Sequence, residues 1–191
     1  LQKRGCHNIN FVSPSHFVPQ ILAALGPAIE DGLNVPLVYN TGGYDSLETL
    51  RLLDGVVDIY MPDVKYADPD VAKRLSGAED YPEVMRAAIT EMHRQVGDLQ
   101  IDERGVATRG LLVRHLVMPE GLSGTPQIMQ FLASLSEDTY VNVMAQYRPC
   151  YNAHDYPELA RRITSEEYRE AVQTALDAGL HRLDERPTMF G

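Results

Sequence analysis

The chain has 191 residues, with 17 Lys and Arg against 27 Asp and Glu, for a formal charge of −10. That length suits one domain with room for a sizeable core, and 44% hydrophobic with 23% charged residues excludes bulk disorder. The acidic balance argues against nucleic acid or an anionic membrane as partner, no apolar run approaches the roughly 18 residues of a spanning helix, and the first residues do not read as a signal peptide.

The first five residues, Leu1-Gln2-Lys3-Arg4-Gly5, read as the last turn of a helix with Gly just past its end, and a fragment of a longer chain is the expectation. Residues 8–13 form a first strand. Residues 16–30 form a helix with Pro19 in its first turn and Gly32 just beyond it. Residues 35–39 are a second strand, running into Asn40-Thr41-Gly42-Gly43. Asp45-x-x-Glu48 has the form of a capping box and opens a helix through about Leu53. Residues 56–61 are a third, continuously apolar strand. Residues 80–96 are helical, because Met85, Ile89, Met92 and Val96 recur on one face. Residues 98–109 are polar and interrupt the rhythm as a small hairpin or loop. A fourth strand covers 111–117. Thr125-Pro126 opens a helix with Ile128, Phe131, Leu132 and Leu135 in one stripe. A fifth strand covers 140–146, and Thr164-x-x-Glu167 caps a last helix that ends at Gly179. Strand and helix alternate along a single domain, 1–191, so the class is α/β with a parallel sheet.

Cys6 and Cys150 are too few for a disulfide framework and lie in no CxxC or CxxxCxxC spacing. They point to a reducing cytoplasm and to two buried small side chains. No HExxH, GxGxxG, GxSxG or Walker pattern occurs.

Parallel α/β architectures bind ligands beyond the carboxyl ends of their strands. Those positions hold Ser13-Pro14-Ser15-His16, Asn40-Thr41-Gly42-Gly43-Tyr44, Pro62-Asp63-Val64-Lys65, Met118-Pro119 and Gln146-Tyr147-Arg148-Pro149. The two-residue period of a strand puts Met61, Asp63 and Lys65 on one face, and Asn142, Met144 and Gln146 on another opposite Val141, Val143 and Ala145. One greasy face and one partly polar face fit a barrel or partial barrel better than a doubly wound sheet. Arg114, amid apolar neighbours, needs an anion or a carboxylate such as Asp63. Lys65 has two readings: a Schiff-base amine, or a cation held by Asp63 or by a bound anion. His7, His16 and His115 read as structural, and only His16 sits in a strand-end loop.

As a set, QKRGCHNINFVSPSH, PLVYNTGGYDSLETLRLLDGVVDIYMPDVKYAD, EMHRQVGDL, GLLVRHLVMP and YVNVMAQYRP resemble the radical SAM proteins, in the subgroup like pyruvate formate-lyase activating enzymes. The resemblance implies a partial parallel (β/α) barrel, here without its first strand. It implies S-adenosylmethionine and a 4Fe-4S cluster as cofactors. In the family the cluster drives reductive cleavage of S-adenosylmethionine to a 5′-deoxyadenosyl radical, which takes hydrogen from a protein or small substrate. The family's cluster loop is CxxxCxxC, which this sequence lacks, so the chain alone is expected to be inactive. Carried over by position, Ser13, Ser15 and His16 stand where the family holds the methionyl amine. Asn40 and Thr41 resemble its Asp-Thr-Asn-Gly segment, and Met61 to Lys65 match its Met-x-Asp-x-Lys. Arg114 matches its strand arginine, and Tyr147-Arg148 its Tyr-His. Cofactor binding is thereby expected from Ser13, Ser15, His16, Asn40, Thr41, Asp63, Lys65, Arg114, Gln146 and Arg148, with Lys65 and Arg114 catalytic. A monovalent cation is expected on Asn40, Thr41, Met61 and Asp63. The implied partner is a glycyl-radical enzyme or another protein substrate, and an exposed sheet edge admits a dimer. The alternatives are a degenerate barrel scaffold without catalysis, and a Schiff-base lyase using Lys65.

Overall fold

The computed structural model describes residues 1–184. Five strands run parallel: β1 (Ile9–Val12), β2 (Leu37–Thr41), β3 (Ile59–Val64), β5 (Ala107–Leu116) and β6 (Tyr140–Met144), in the spatial order β1-β2-β3-β5-β6. A two-residue strand β4 (Gln100–Ile101) pairs antiparallel with the start of β5, so residues 98–109 do form a hairpin. Residues 182–184 lie along the far side of β6 through an Val141–Leu183 bridge. Among the described residues no strand pairs with the outer side of β1.

The helices are α1 (Val18–Glu30), α2 (Leu47–Leu52), α3 (Pro69–Ser76), α4 (Tyr81–Val96), α5 (Thr125–Leu135) and α6 (Ser165–Asp177). They cover one face of the sheet. Tyr39, Tyr60, Val64, Leu111, Val113, Val141 and Val143 point into that layer and pack with Leu50, Met85, Ile89, Met92, Ile128 and Leu132. The opposite face carries a small second core at its lower end, where Leu99 plugs between Val38 and Ile59 against Met61, Leu112 and Tyr140. Above that plug the face turns polar. A doubly wound sheet would bury both faces under helices, so the one-sided cover matches the alternation in the sequence.

Several boundaries differ from the sequence pattern. β2 and β3 start two to three residues later than expected, after Pro36, which has no N–H for a ladder, and after Asp58, whose carboxylate accepts from the Leu37 N–H at 2.8 Å. Asp45 does not cap α2: Ser46 does, accepting from the Thr49 N–H, and Asp45 is turned inward. Helix α3 has no apolar stripe long enough to announce it. It is set by local chemistry instead, with the Asp68 carboxylate capping the N–H groups of Asp70 and Val71 and Gly77 closing it in a left-handed turn. The Thr164–Glu167 capping box of α6 is present in full. Residues Gln2–Arg4 make a 3₁₀ turn closed by left-handed Gly5 rather than an α-helical end. Cys150 is exposed and Cys6 half-buried, so neither is the buried small hydrophobe expected.

His115 is structural. Its ring is fully buried, with Nδ1 3.1 Å from the Val64 carbonyl and Nε2 2.9 Å from the Thr125 hydroxyl. A carbonyl only accepts, so Nδ1 carries the proton and Nε2 accepts from Thr125. Burial holds the imidazole down to about 4 against an ordinary 6.5. The unfolded chain therefore takes up a proton below about pH 6.5 that the native state refuses, and stability falls as pH drops from there toward about 4. The expected loss between pH 7 and pH 5 is about 2 kcal/mol. Urea unfolding at the two pH values tests it: His115→Gln should remove most of that loss, and equal losses in both proteins would refute the assignment.

Candidate functional site

Strand register builds the site. Parallel pairing aligns Asp63 with Arg114 and Arg114 with Asn142, while Asn40 aligns with Met61 one rung below. Aligned residues share a face, so Asn40, Met61, Asp63, Arg114 and Asn142 all lie on the side without helices, near the strands' carboxyl ends. There Arg114 Nε donates to Asp63 Oδ1 at 2.7 Å, and Nη2 lies 2.6 Å from the same oxygen. Nη2 also donates to Asn40 Oδ1 at 2.9 Å. Lys65 Nζ stands 3.9 Å from the other oxygen of Asp63. Side-chain exposures of 26% for Arg114 and 23% for Asp63 place this ion pair between the surface and buried regimes. Asp63 and Arg114 open onto a cavity of about 340 Å³ that Leu116, Met144, Gln146, Tyr147 and Arg148 also line.

The remaining expected residues are placed elsewhere. Thr41 is one residue from Asn40 and so faces the helix layer, where its hydroxyl donates to Asp45 Oδ2 at 2.5 Å. Ser15 donates to Asp45 Oδ1 at 2.6 Å, and the Tyr39 hydroxyl to the same oxygen at 3.0 Å. Burial, together with the Asp45 charge, pushes the Tyr39 hydroxyl far above its ordinary value, so it stays a donor. Ser15 and Thr41 thus serve the buried Asp45, which ties the β1 loop to the β2 loop. The expected cation set is divided: Asn40, Met61 and Asp63 share a face and Thr41 does not. Ser13 holds a positive φ of 52° and donates its N–H to the Asn40 carbonyl at 2.8 Å. His16 is exposed, its ring 4.9 Å from that of Phe17.

Tyr81, at the start of α4, is a residue that the sequence pattern gave no reason to place here. Its buried hydroxyl lies 3.0 Å from the carbonyls of Gly42 and Asp63 and accepts from the Lys65 N–H at 3.2 Å. One side chain thereby fixes the ends of β2 and β3 where Asp63 and Lys65 leave the sheet. Tyr44 stacks on Tyr81 with ring centroids 5.9 Å apart and donates to Asp80 at 2.7 Å. The signals available for these contacts were only an aromatic at the first position of a helix and another in a Gly-Gly loop.

Among the described residues no group of three or more His, Cys, Asp or Glu side chains is placed to hold a metal ion. Among them, too, no helix is long and apolar enough to cross a membrane.

No protein-family model matches the chain. An uncharacterized protein of Methanocaldococcus jannaschii, MJ0674, is 34% identical over 169 residues, which cover 88% of this chain and 46% of that protein. The chain spans about half the length of that relative. The crystal structure of a domain of pyruvate-formate lyase-activating enzyme from Bacteroides vulgatus superposes with a TM-score of 0.64 at 15% identity, over 93% of this chain and 96% of that domain. At that identity the likeness is one of fold, and the chain has the mixed α/β architecture of an activating-enzyme domain, a parallel sheet with its helices on one side.

Proposed function

We propose that this chain carries the S-adenosylmethionine-binding face of a radical SAM enzyme of the activating-enzyme type, its five parallel strands standing for strands two to six of the family's partial barrel. The observation that carries this reading is the joined Asp63–Arg114–Asn40 cluster, with Lys65 beside it, at the carboxyl end of the sheet face that no helix covers. S-adenosylmethionine presents a carboxylate and an ammonium at one end and a sulfonium between them and adenosine. Lys65 is placed to take the carboxylate, and the Asp63 oxygen facing it to take the ammonium. Arg114 holds the Asp63 carboxylate in place and is itself held by Asn40, and Leu116, Met144 and Tyr147 offer apolar wall to the adenosine. When bound, the cofactor supplies a sulfonium centre open to reductive cleavage.

The family's cluster does not fit this sequence. Three cysteine thiolates are needed, and the chain has two, one ahead of β1 and one past β6. No step is therefore assigned to a cluster here.

The Schiff-base reading of Lys65 is weakened by its surroundings. An amine nucleophile needs burial or a cationic neighbour to lose its proton. Lys65 is 41% exposed and faces a carboxylate at 3.9 Å. The scaffold reading keeps one observation in its favour, namely that Asp63 and Asn40 already satisfy much of Arg114.

Titration of the chain with S-adenosylmethionine, followed by saturation-transfer NMR, tests the proposal. Without a cluster to chelate the methionyl group, Kd should be about 1 mM, or about −4 kcal/mol. Asp63→Asn and Lys65→Ala should each weaken binding about ten- to a hundredfold, the loss of one charge-assisted contact worth about 1.5–3 kcal/mol. Equal transfer in the wild-type and variant chains would make the cluster structural and leave the scaffold reading standing.

A further inference from the structure

The cavity beside the cluster carries more positive charge than the proposed cofactor uses. Among the described residues Asp63 is the one acid lining it, and Arg114 is paired with that acid. Arg148 lines the same cavity, is exposed, and has no hydrogen bond or ion pair among the described residues. Lys65 is not among the lining residues, but it stands next to the cavity, 3.9 Å from the second oxygen of Asp63. The site is thus locally basic in a chain whose formal charge is −10, the reverse of what the overall balance would place there. S-adenosylmethionine adds a net positive charge of its own, so it does not answer this excess but increases it.

Gln146 gives a second, independent sign. Its side-chain N–H group, at the cavity wall, has Met144 Sδ as its acceptor at 3.4 Å. A thioether is a weak acceptor. An amide donor in such company is available to a better partner, and Arg148, two residues on, shares that wall.

We infer that Arg148 and Gln146 form an anion subsite for a carboxylate or phosphate group on a second small molecule, bound beside the cofactor in the same cavity. This rests on the proposed function. Lys65 then serves the cofactor's carboxylate, and Arg148, on the cavity wall with Gln146, serves the second ligand's anion. The substrate class is a small organic acid or phosphate ester, and the two sources share one recognition chemistry, a planar guanidinium plus an amide donor against anionic oxygens.

The test is a titration of the ¹⁵N-labelled chain with malonate and, separately, with inorganic phosphate. Saturable shifts at Gln146, Tyr147 and the Arg148 side chain support the subsite. Saturation by only one of the two probes names the anion. Arg148→Gln should weaken binding about tenfold or more, while Arg148→Lys should retain part of it. Linear shifts that never saturate, or the same titration in Arg148→Gln, would overturn the inference. Repeating the titration with S-adenosylmethionine present separates the two proposals. Anion binding that persists or tightens supports a distinct subsite, and competition between the two would assign Arg148 to the cofactor's carboxylate and overturn it. Intact anion binding with no uptake of S-adenosylmethionine would sink the proposed cofactor while leaving the anion subsite in place.

Discussion

Gly110→Ala is expected to destabilise the chain by about 3–5 kcal/mol. Gly110 sits within β5 at φ 113°, a region that side chains rarely enter. An added Cβ would stand 2.4 Å from the Asp98 carbonyl oxygen and 2.5 Å from Leu99 Cα, and both obstacles are backbone. The strained φ costs about 1–3 kcal/mol and the forced backbone shift a similar amount. The clash lifts the 98–99 segment off the sheet, and Leu99, the plug of the uncovered face, moves with it. Since native domains are stable by only about 5–15 kcal/mol, this one methyl group would remove a large share. Thermal unfolding should show Tm lower by about 10 °C. A Tm within about 2 °C of wild type would mean that the hairpin does not press on β5 as described.

Gly43→Ala strikes the site itself. Gly43 is at φ 76°, and its Cβ would stand 2.5 Å from the Asp63 carbonyl oxygen, with the Tyr81 hydroxyl 3.5 Å away. That carbonyl is one of the groups Tyr81 holds, so the β2 loop, the end of β3 and the clamp must move together. The expected loss is about 2–4 kcal/mol from the left-handed backbone and the contact combined. Gly55 has nearly the same φ, 77°, and open space around it. Gly55→Ala therefore measures the backbone part alone, about 1–2 kcal/mol. Urea unfolding of both variants gives the contact part as the difference. In Gly43→Ala, S-adenosylmethionine uptake should also vanish, because Asp63 and Lys65 no longer project from a fixed strand end. Equal losses in the two variants would show that the loop does not bear on β3.

These two glycines mark where the sequence pattern stopped being informative. Strand existence and parallel pairing were legible because apolar runs of β-branched residues alternate with helical stripes. The two-residue period was enough to put Asp63 and Met61 on the face away from the helices, and Val141 and Val143 under them. The need of Arg114 for a counter-charge pointed to an anion or a carboxylate such as Asp63, and Asp63 is the partner found. Contacts made by chain segments far apart in sequence were not legible. Nothing in residues 98–109 shows that Leu99 closes the lower end of the uncovered face. Nothing in Tyr81 shows that its hydroxyl will meet Gly42, Asp63 and Lys65. Asp45 misled for a different reason. Asp45 and Ser46 are both good N-caps, and the choice fell to Ser46 because Ser15, Tyr39 and Thr41 together offer the carboxylate three donors in the interior. The same choice drew Ser15 and Thr41 away from the Asp63 cluster.

The proposed function requires that the uncovered, carboxyl-end face of the sheet hold S-adenosylmethionine. A crystal structure of the chain grown with the cofactor at roughly ten times the expected Kd of about 1 mM addresses that most directly. The expected result is density with the methionyl carboxylate within hydrogen-bond reach of Lys65, the ammonium against Asp63, and Arg114 still paired with Asp63 and Asn40. Cofactor density anywhere else on the molecule, or a cavity without cofactor density beside an unchanged Asp63–Arg114 pair, would contradict it.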